Sequence, residues 1–399
     1  MRAMKDSGVE WLGEVPAGWG LHRGKRLFRL TNDRGNDDLT LLAATQKYGM
    51  WPQSRLEGVV RVKEDTDLST FRTVHKNDFV ISLRSFQGGF ERSDFEGVCS
   101  PAYQTFCATK PINHQYFKYL FKSPSFIDHM NSLTLGIREG KTIKYDDFAV
   151  QKLPVPPVEE QARIADFLDA KCAEVDRAVS AAEQSIQEYK AYLSSLVDEA
   201  FSSAADYVKL ARISTLITDG DHQAPARSDC GIPFLVISNI SKGYISFEDT
   251  DFVTKEYYET IPVVHRAQKG DLLVSVTGSY GIPVLVDTDE RFCFQRHIAL
   301  VRPTIDPAYV RFAMLTSGFR SYCDGVVTGA AQKTLTLTAL RAARIPRMDA
   351  IDEARLVEFL TRKETQINEA IAAKQAIIDE LKSYKQSLIY EAVTGKLEV

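Results

Sequence analysis

Tyr145-Asp-Asp-Phe148 leads through Lys152-Leu-Pro-Val-Pro-Pro157 to Phe167-Leu168 and on to Ala200, and the chain then repeats that pattern. The second pass runs from Leu337-Thr-Ala-Leu340 through Ile345-Pro346 to Phe359-Leu360 and Ala392. The spacing between the copies, position 337 against 145, holds again at Ile186/Ile378 and Tyr192/Tyr384. Upstream, Lys76-Asn-Asp-Phe-Val-Ile-Ser82 matches Lys269-Gly-Asp-Leu-Leu-Val-Ser275. A duplicated globular unit followed by a helix builds a pseudo-symmetric object, which suits a bipartite partner such as double-helical DNA.

Leu153-Pro-Val-Pro-Pro157 has no helical interior and so sets a boundary. From there to Phe201 there is no Pro or Gly. A heptad seam runs through Ala165, Leu168, Cys172, Val175, Val179, Ala182, Ile186, Tyr189, Leu193, Leu196 and Ala200. The second copy carries Val357, Leu360, Glu364, Ile367, Ile371, Lys374, Ile378, Leu381, Lys385, Leu388 and Ala392, with three charges in the stripe. About 44 residues at about 1.5 Å each make a rod of about 66 Å, which needs a partner helix to cover its stripe. The other copy is the expected partner, as an antiparallel coiled coil held at the seam by Leu168, Val175, Ile186, Ile367, Ile378 and Leu388. The alternative is a coiled-coil dimer between chains.

Around the helices the sequence predicts an α/β (α+β) fold with two pseudo-symmetric globular domains. The reading places a first domain at 1–157, a spacer helix at 158–205, a second domain at 206–346 and a C-terminal spacer helix at 347–399. Asp78–Leu83, Phe234–Ser238, Asp271–Val276 and Ile298–Val301 read as strands. Tyr116–Phe121 and Tyr309–Met314 read as short amphipathic helices, each leading through a loop, around Gly136 or Gly329, to the strand before a long helix.

Composition is that of an ordinary globular protein, 44% apolar and 26% charged, which sets aside disordered and fibrous classes. No apolar run approaches a membrane span, the first residues lack a signal core, and six cysteines without C-x-x-C spacing read as reduced thiols; a cytoplasmic location is expected. The net charge of −4 argues against a generic DNA-coating protein. The acid concentrates in the helices, with 10 Asp+Glu against 4 Lys+Arg in residues 158–205, leaving the globular segments neutral to basic.

Catalytic patterns are missing. Gly136-Ile-Arg-Glu-Gly140-Lys141-Thr142 is one residue short of a P-loop, and its counterpart Gly329-Ala-Ala-Gln-Lys333-Thr334 loses the second glycine. The one Pro-Pro, Val155-Pro-Pro-Val158, is not an amino-methyltransferase loop, and there is no His-Glu-x-x-His. Asp219-Gly220-Asp221-His222 most resembles a metal cluster, yet the first half has no equivalent, so a polar turn is the favoured reading and no metal site is assigned.

Two hairpin loops carry groups that read DNA. Ser82–Arg92 holds Arg84, Gln87 and Arg92 around Gly88-Gly89; arginine suits guanine and phosphate, and glutamine suits adenine. The equivalent Ser275–Gly281 offers Thr277, Ser279 and Tyr280. One frame with different tips is what two readers of different sequences need.

The chain resembles the specificity subunit of Type I restriction–modification systems. The carriers are Lys5-Asp-Ser-Gly-Val-Glu-Trp-Leu-Gly-Glu-Val-Pro16 with Gly18-Trp19, Lys152–Pro157 followed by Glu160-Gln161-Ala-Arg-Ile164, Asp219-Gly220 with His222 and Pro225, Gly231-Ile-Pro-Phe-Leu235, Gly270-Asp271, and Glu391-Ala-Val-Thr-Gly-Lys396. The resemblance implies two target-recognition domains, each reading half of a bipartite double-stranded site, and helices that space them and dock two modification subunits. Those subunits bring S-adenosylmethionine and methylate adenine, and a restriction subunit joins for cleavage. This chain would be no enzyme and hold no cofactor. In the second copy Asp352-Glu353 replaces Glu160-Gln161, and Arg347 follows Ile345-Pro346, so contacts to the second modification subunit are expected to differ. The candidate DNA-binding residues are Arg84, Gln87, Arg92, Arg138 and Lys141 in the first domain. In the second they are His222, Arg227, Ser279, Tyr280, Arg296 and Lys333. The rival readings are a coiled-coil adaptor that binds only protein, and a stand-alone DNA-modifying enzyme.

Overall fold

The computed structural model describes every residue except 1, 37, 57–65, 83–88, 134–142, 222–224 and 330–331. The chain folds as two compact units, one of Met1–Ala182 with Ala376–Val399, the other of Glu183–Gln375. Each unit takes a portion of both long helices, Val158–Phe201 and Ala350–Thr394.

The first unit is built on a four-stranded antiparallel sheet in the order Phe28–Thr31, Gln104–Ala108, Phe79–Ile81, Phe90–Arg92. Phe28, Phe79, Phe106, Phe121 and Phe148 form an aromatic core, with centroids 5.1 Å apart for Phe106–Phe148 and 5.6 Å for Phe28–Phe79. The helix His114–Lys122 covers this sheet because Tyr116, Phe117, Leu120 and Phe121 fall on one face. Asn113 caps it by accepting from the Tyr116 N–H at 2.9 Å.

The second unit repeats the plan: strands Ser214–Asp219, Ile298–Pro303, Leu272–Ser275 and Pro283–Leu285, in that order and all antiparallel. It adds a three-stranded sheet, Asp251–Val253, Ile232–Leu235 and Cys293–Phe294, the last pair parallel. The run Phe234–Ser238 stops being a strand at Leu235, because Asn239 accepts from the Val236 N–H at 2.9 Å and folds Ile237–Asn239 into a 3-10 turn. Each predicted short helix is followed by two more, Pro124–Ser132 and Tyr145–Ala149 in one unit, Ser317–Val326 and Leu337–Ala342 in the other. These are too short for periodicity to declare them.

Equivalent details recur in both copies. Asn77 and Gly270 hold left-handed backbone, φ +73° and +91°, and the following Asp accepts from the residue three back, His75 or Gln268, at 2.9 Å. The buried Tyr116 hydroxyl lies 3.2 Å from the Pro154 carbonyl and 2.9 Å from that of Val393; the Tyr309 hydroxyl donates to Pro346 at 2.9 Å. Each tyrosine therefore pins the strand that feeds a long helix, Lys152–Val155 or Arg344–Arg347.

Within each unit the two helices run antiparallel. In the first, Arg2 bridges Glu160 and Gly395 while Asp176 meets Lys385 at 2.6 Å, so one helix ascends as the other descends. In the second, Val197 and Phe201 share a core with Leu356 and Leu360. Leu168, Val175, Ile186, Ile367, Ile378 and Leu388 are all buried. Two of the three charged seam positions have partners: Glu364 receives a two-pronged arginine pair from Arg311, at 2.6 and 2.8 Å, and Lys385 holds Asp176. Lys374 is half-buried.

The exchange of Gln161 for Glu353 falls on inward-facing side chains. Gln161 accepts from the Asn113 N–H and donates to Pro156 O, both at 2.8 Å, whereas Glu353 pairs with Arg347 at 2.6 Å. Arg347 stands where the first copy has Val155, so the charge is matched locally.

Burial pushes the Glu91 carboxyl up to about 7, against the opposing pull of Lys122. The native carboxyl therefore holds a proton that the unfolded chain releases near 4.5. Stability from this group is complete below that value and lost as pH rises through about 7. Thermal unfolding should show the protein weakening between about pH 5 and about pH 8 by up to about 3 kcal/mol. In Glu91→Gln this part of the pH dependence should vanish, and an unchanged profile would refute the assignment.

Candidate nucleic-acid interface

Four segments distant in sequence meet at one edge of the second unit. Thr277 bridges Thr334, and the Gly278 N–H donates to Lys333 O at 3.0 Å. The Leu335 N–H donates to Val276 O at 2.7 Å, and the Val276 N–H to His297 O at 2.9 Å. Asp221 bridges Gln295, and the Arg296 N–H reaches Asp221 O at 3.0 Å. This ladder places Ser279, Tyr280, Arg296 and Lys333 on one continuous frame.

Ser279, Arg296 and Lys333 are exposed. Tyr280 is more restrained: its hydroxyl donates to Asp324 at 2.7 Å and its carbonyl accepts from Arg320 at 3.2 Å. His297 is held below the usual imidazole range by burial and by Arg296, so near neutral pH the edge carries its charge on Arg296 and Lys333. Two exposed cations beside an exposed hydroxyl suit phosphate and base-edge contacts. The sequence reading missed Thr277's bridge, Gln295 and His297; the signal was a Gln295-Arg296-His297 run between two strands.

Arg227 sits close to Tyr257 and Cys293, as does Asp221 of that frame. Its guanidinium lies 4.1 Å from the Phe234 ring centre and 3.1 Å from Asp251, which fixes its plane. Asp221 accepts from the Tyr257 hydroxyl at 2.7 Å, a structural use of that carboxylate. Among the described residues, no group of three His, Cys, Asp or Glu is arranged to hold a metal ion.

In the first unit Arg92 ends the strand Phe90–Arg92 at the side of Asn77, since Ile81 pairs with Phe90 and Phe79 with Arg92. Its guanidinium pairs with Asp94 and reaches Asn77 at 3.4 Å, and its side chain is 15% exposed. It braces the turn at Asn77. Arg84, Gln87, Arg138, Lys141 and His222 lie outside the described residues. No described helix is long and apolar enough to cross a membrane.

Residues 21–180 match the family described as the Type I restriction modification DNA specificity domain. The sequence is 26% identical over 222 residues to the Type I restriction enzyme EcoKI specificity subunit of Escherichia coli (strain K12). That alignment takes in 50% of this chain and 47% of the relative, so the match spans about half the relative's length. Among solved structures, a chain from work on complex assembly and conformational transition of the type I R-M system superimposes with a TM-score of 0.71. The match has 17% identity and covers 96% of this chain and 99% of the other. The HsdS subunit from Thermoanaerobacter tengcongensis gives a TM-score of 0.49 at 16% identity, over 96% and 98% of the two chains. The specificity-domain match falls on the first copy of a duplicated frame, and the chain as a whole shares its fold with a chain of the type I R-M system.

Proposed function

We propose that this chain is the non-catalytic sequence-recognition subunit of a Type I restriction–modification complex. Each unit reads one half of a bipartite double-stranded DNA site. The observation that carries this reading is the retained sheet, helix and tyrosine-pin frame, which in the second copy bears Ser279, Arg296 and Lys333, while the sequence between the equivalent strands of the first copy is different and includes Arg84 and Gln87. Exposed cations position the backbone of DNA and loop polar groups discriminate bases. The remaining candidates, Arg138, Lys141, His222 and Arg227, serve as flanking contacts in the same reading.

Two adenine-methyltransferase subunits dock on the chain and bring S-adenosylmethionine, and a restriction subunit attaches through them. The chain itself holds no cofactor and works in the cytoplasm. The test is methylome sequencing of a host expressing a modification subunit with and without this chain. A bipartite methyl-adenine motif that depends on the chain is expected. Unchanged methylation with an active modification subunit would discard the reading in favour of a protein-binding adaptor. Lys333→Ala should weaken DNA binding for all sequences and reduce the salt slope by about 1.

A further inference from the structure

The two units differ in one respect that the duplication does not predict. In the first, residues 2–19 lie over the junction between the long helices and the globular core. Arg2 pairs with Glu160, donates to Gly395 O at 2.8 Å, and stands 5.1 Å from the Trp19 ring centre. Pro16 presses on Gly395, where an added Cβ would come within 2.5 Å of the ring. Trp11 stacks on His129 at 5.7 Å and meets Phe126 edge-on at 5.6 Å.

By the repeat, the second unit offers Asp352 for Glu160, Ser203 for Gly395, Phe319 for Phe126 and Tyr322 for His129. No segment corresponding to residues 2–19 precedes its first strand, Asp206–Lys209, because only residues 202–205 separate it from the end of the central helix at Phe201. Two adjoining grooves stand open there. One, of about 550 Å³, is lined by Leu196, Ser203, Asp352 and Phe359; the other, of about 660 Å³, by Ser202, Phe319 and Tyr322. Asp352 lies 3.6 Å from the exposed Arg355 and beside Asp349, and the neighbouring Ile351 is 65% exposed.

We infer that this double groove is a docking site for a segment of a partner protein that supplies an arginine to Asp352 and an aromatic side chain to the Phe319–Tyr322 seat. The chemistry of that segment is the one residues 2–19 display in the first unit. The inference rests on the reading of the chain as a subunit that carries partner proteins. It also makes the two docking faces unequal: one carries its own cover, and the other receives it from outside.

The probe is a labelled peptide of residues 1–19, titrated into the full-length protein by fluorescence anisotropy. Saturable one-to-one binding is expected, with about ten-fold or greater weakening for Arg2→Ala and Trp11→Ala peptides, about 1.4 kcal/mol each. Asp352→Lys or Ser202→Trp in the protein should also abolish it. No saturable binding, equal binding of the peptide variants, or binding indifferent to Asp352→Lys would overturn the inference. In a parallel arm, Asp352→Lys should reduce the modification subunits bound per chain from two to one, and two retained would equally overturn it. If the wild-type chain recruits no modification subunit while the peptide still binds, the functional reading fails and the groove stands.

Discussion

Asp271→Ala is expected to lower the unfolding free energy by about 3–5 kcal/mol, the largest single-residue loss in the second unit. Asp271 is 2% exposed and takes both prongs of the Arg302 guanidinium, at 2.8 and 2.7 Å, while accepting from the Gln268 N–H. Arg302 also donates to the carbonyls of Val264 and Arg266, at 3.1 and 3.0 Å. Removing the carboxylate leaves a half-buried cation without its counter-charge and frees the turn at Gly270. Arg302→Met, which keeps the packing of the aliphatic stem but leaves the Asp271 carboxylate without its counter-charge, should cost less than Arg302→Ala. Denaturant unfolding of the single and double variants measures this; additive losses at the two positions would show that the pair is not coupled.

Gly220→Ala should have the largest effect on recognition. An added Cβ would sit 2.0 Å from the Phe294 carbonyl oxygen and 2.7 Å from that of Gln295. These are backbone atoms, and the Asp221 N–H donates to that same Phe294 carbonyl at 3.1 Å, so neither side yields easily. The turn must move off the Phe294–Arg296 segment, costing about 1–3 kcal/mol and breaking the ladder that aligns Arg296 with Ser279 and Lys333. Binding to duplexes in which one half-site at a time is scrambled separates the outcomes. Discrimination at the second unit's half-site should disappear while that at the first survives. Equal discrimination in wild type and variant would remove the Asp221–Arg296 edge from the recognition surface.

What the sequence made legible follows from the range over which each signal acts. The two helices and their seam were readable because a 3.5-residue apolar repeat over eleven positions is strong, and each of those positions is buried or half-buried. The charged positions Glu364 and Lys385 looked like flaws because their partners, Arg311 and Asp176, are 53 and 209 residues away. The candidate site was less legible. Ser279 and Lys333 come together through hydrogen bonds between segments that composition cannot align. Arg92 appeared to belong to its neighbouring loop, yet strand register carried it to the other end, beside Asn77. The extra helices Pro124–Ser132 and Tyr145–Ala149 are nine and five residues long, short enough that tertiary packing rather than pattern decides them.

The division of the chain into a discontinuous first unit and a continuous second one bears on synthesis. The core of the first unit includes Leu388, Ile389, Ala392 and Val393, which leave the ribosome after the whole of the second unit, complete once Gln375 has emerged. The half that begins first therefore finishes last. At about 5–20 residues per second, Met1–Ala182 waits about 10–40 s for the strand of helix that closes it. During that wait, the apolar faces of Leu168 and Cys172 are open to any chaperone or neighbouring chain. A stop codon just before Leu388 would thus unfold the beginning of the protein before it disturbed the middle.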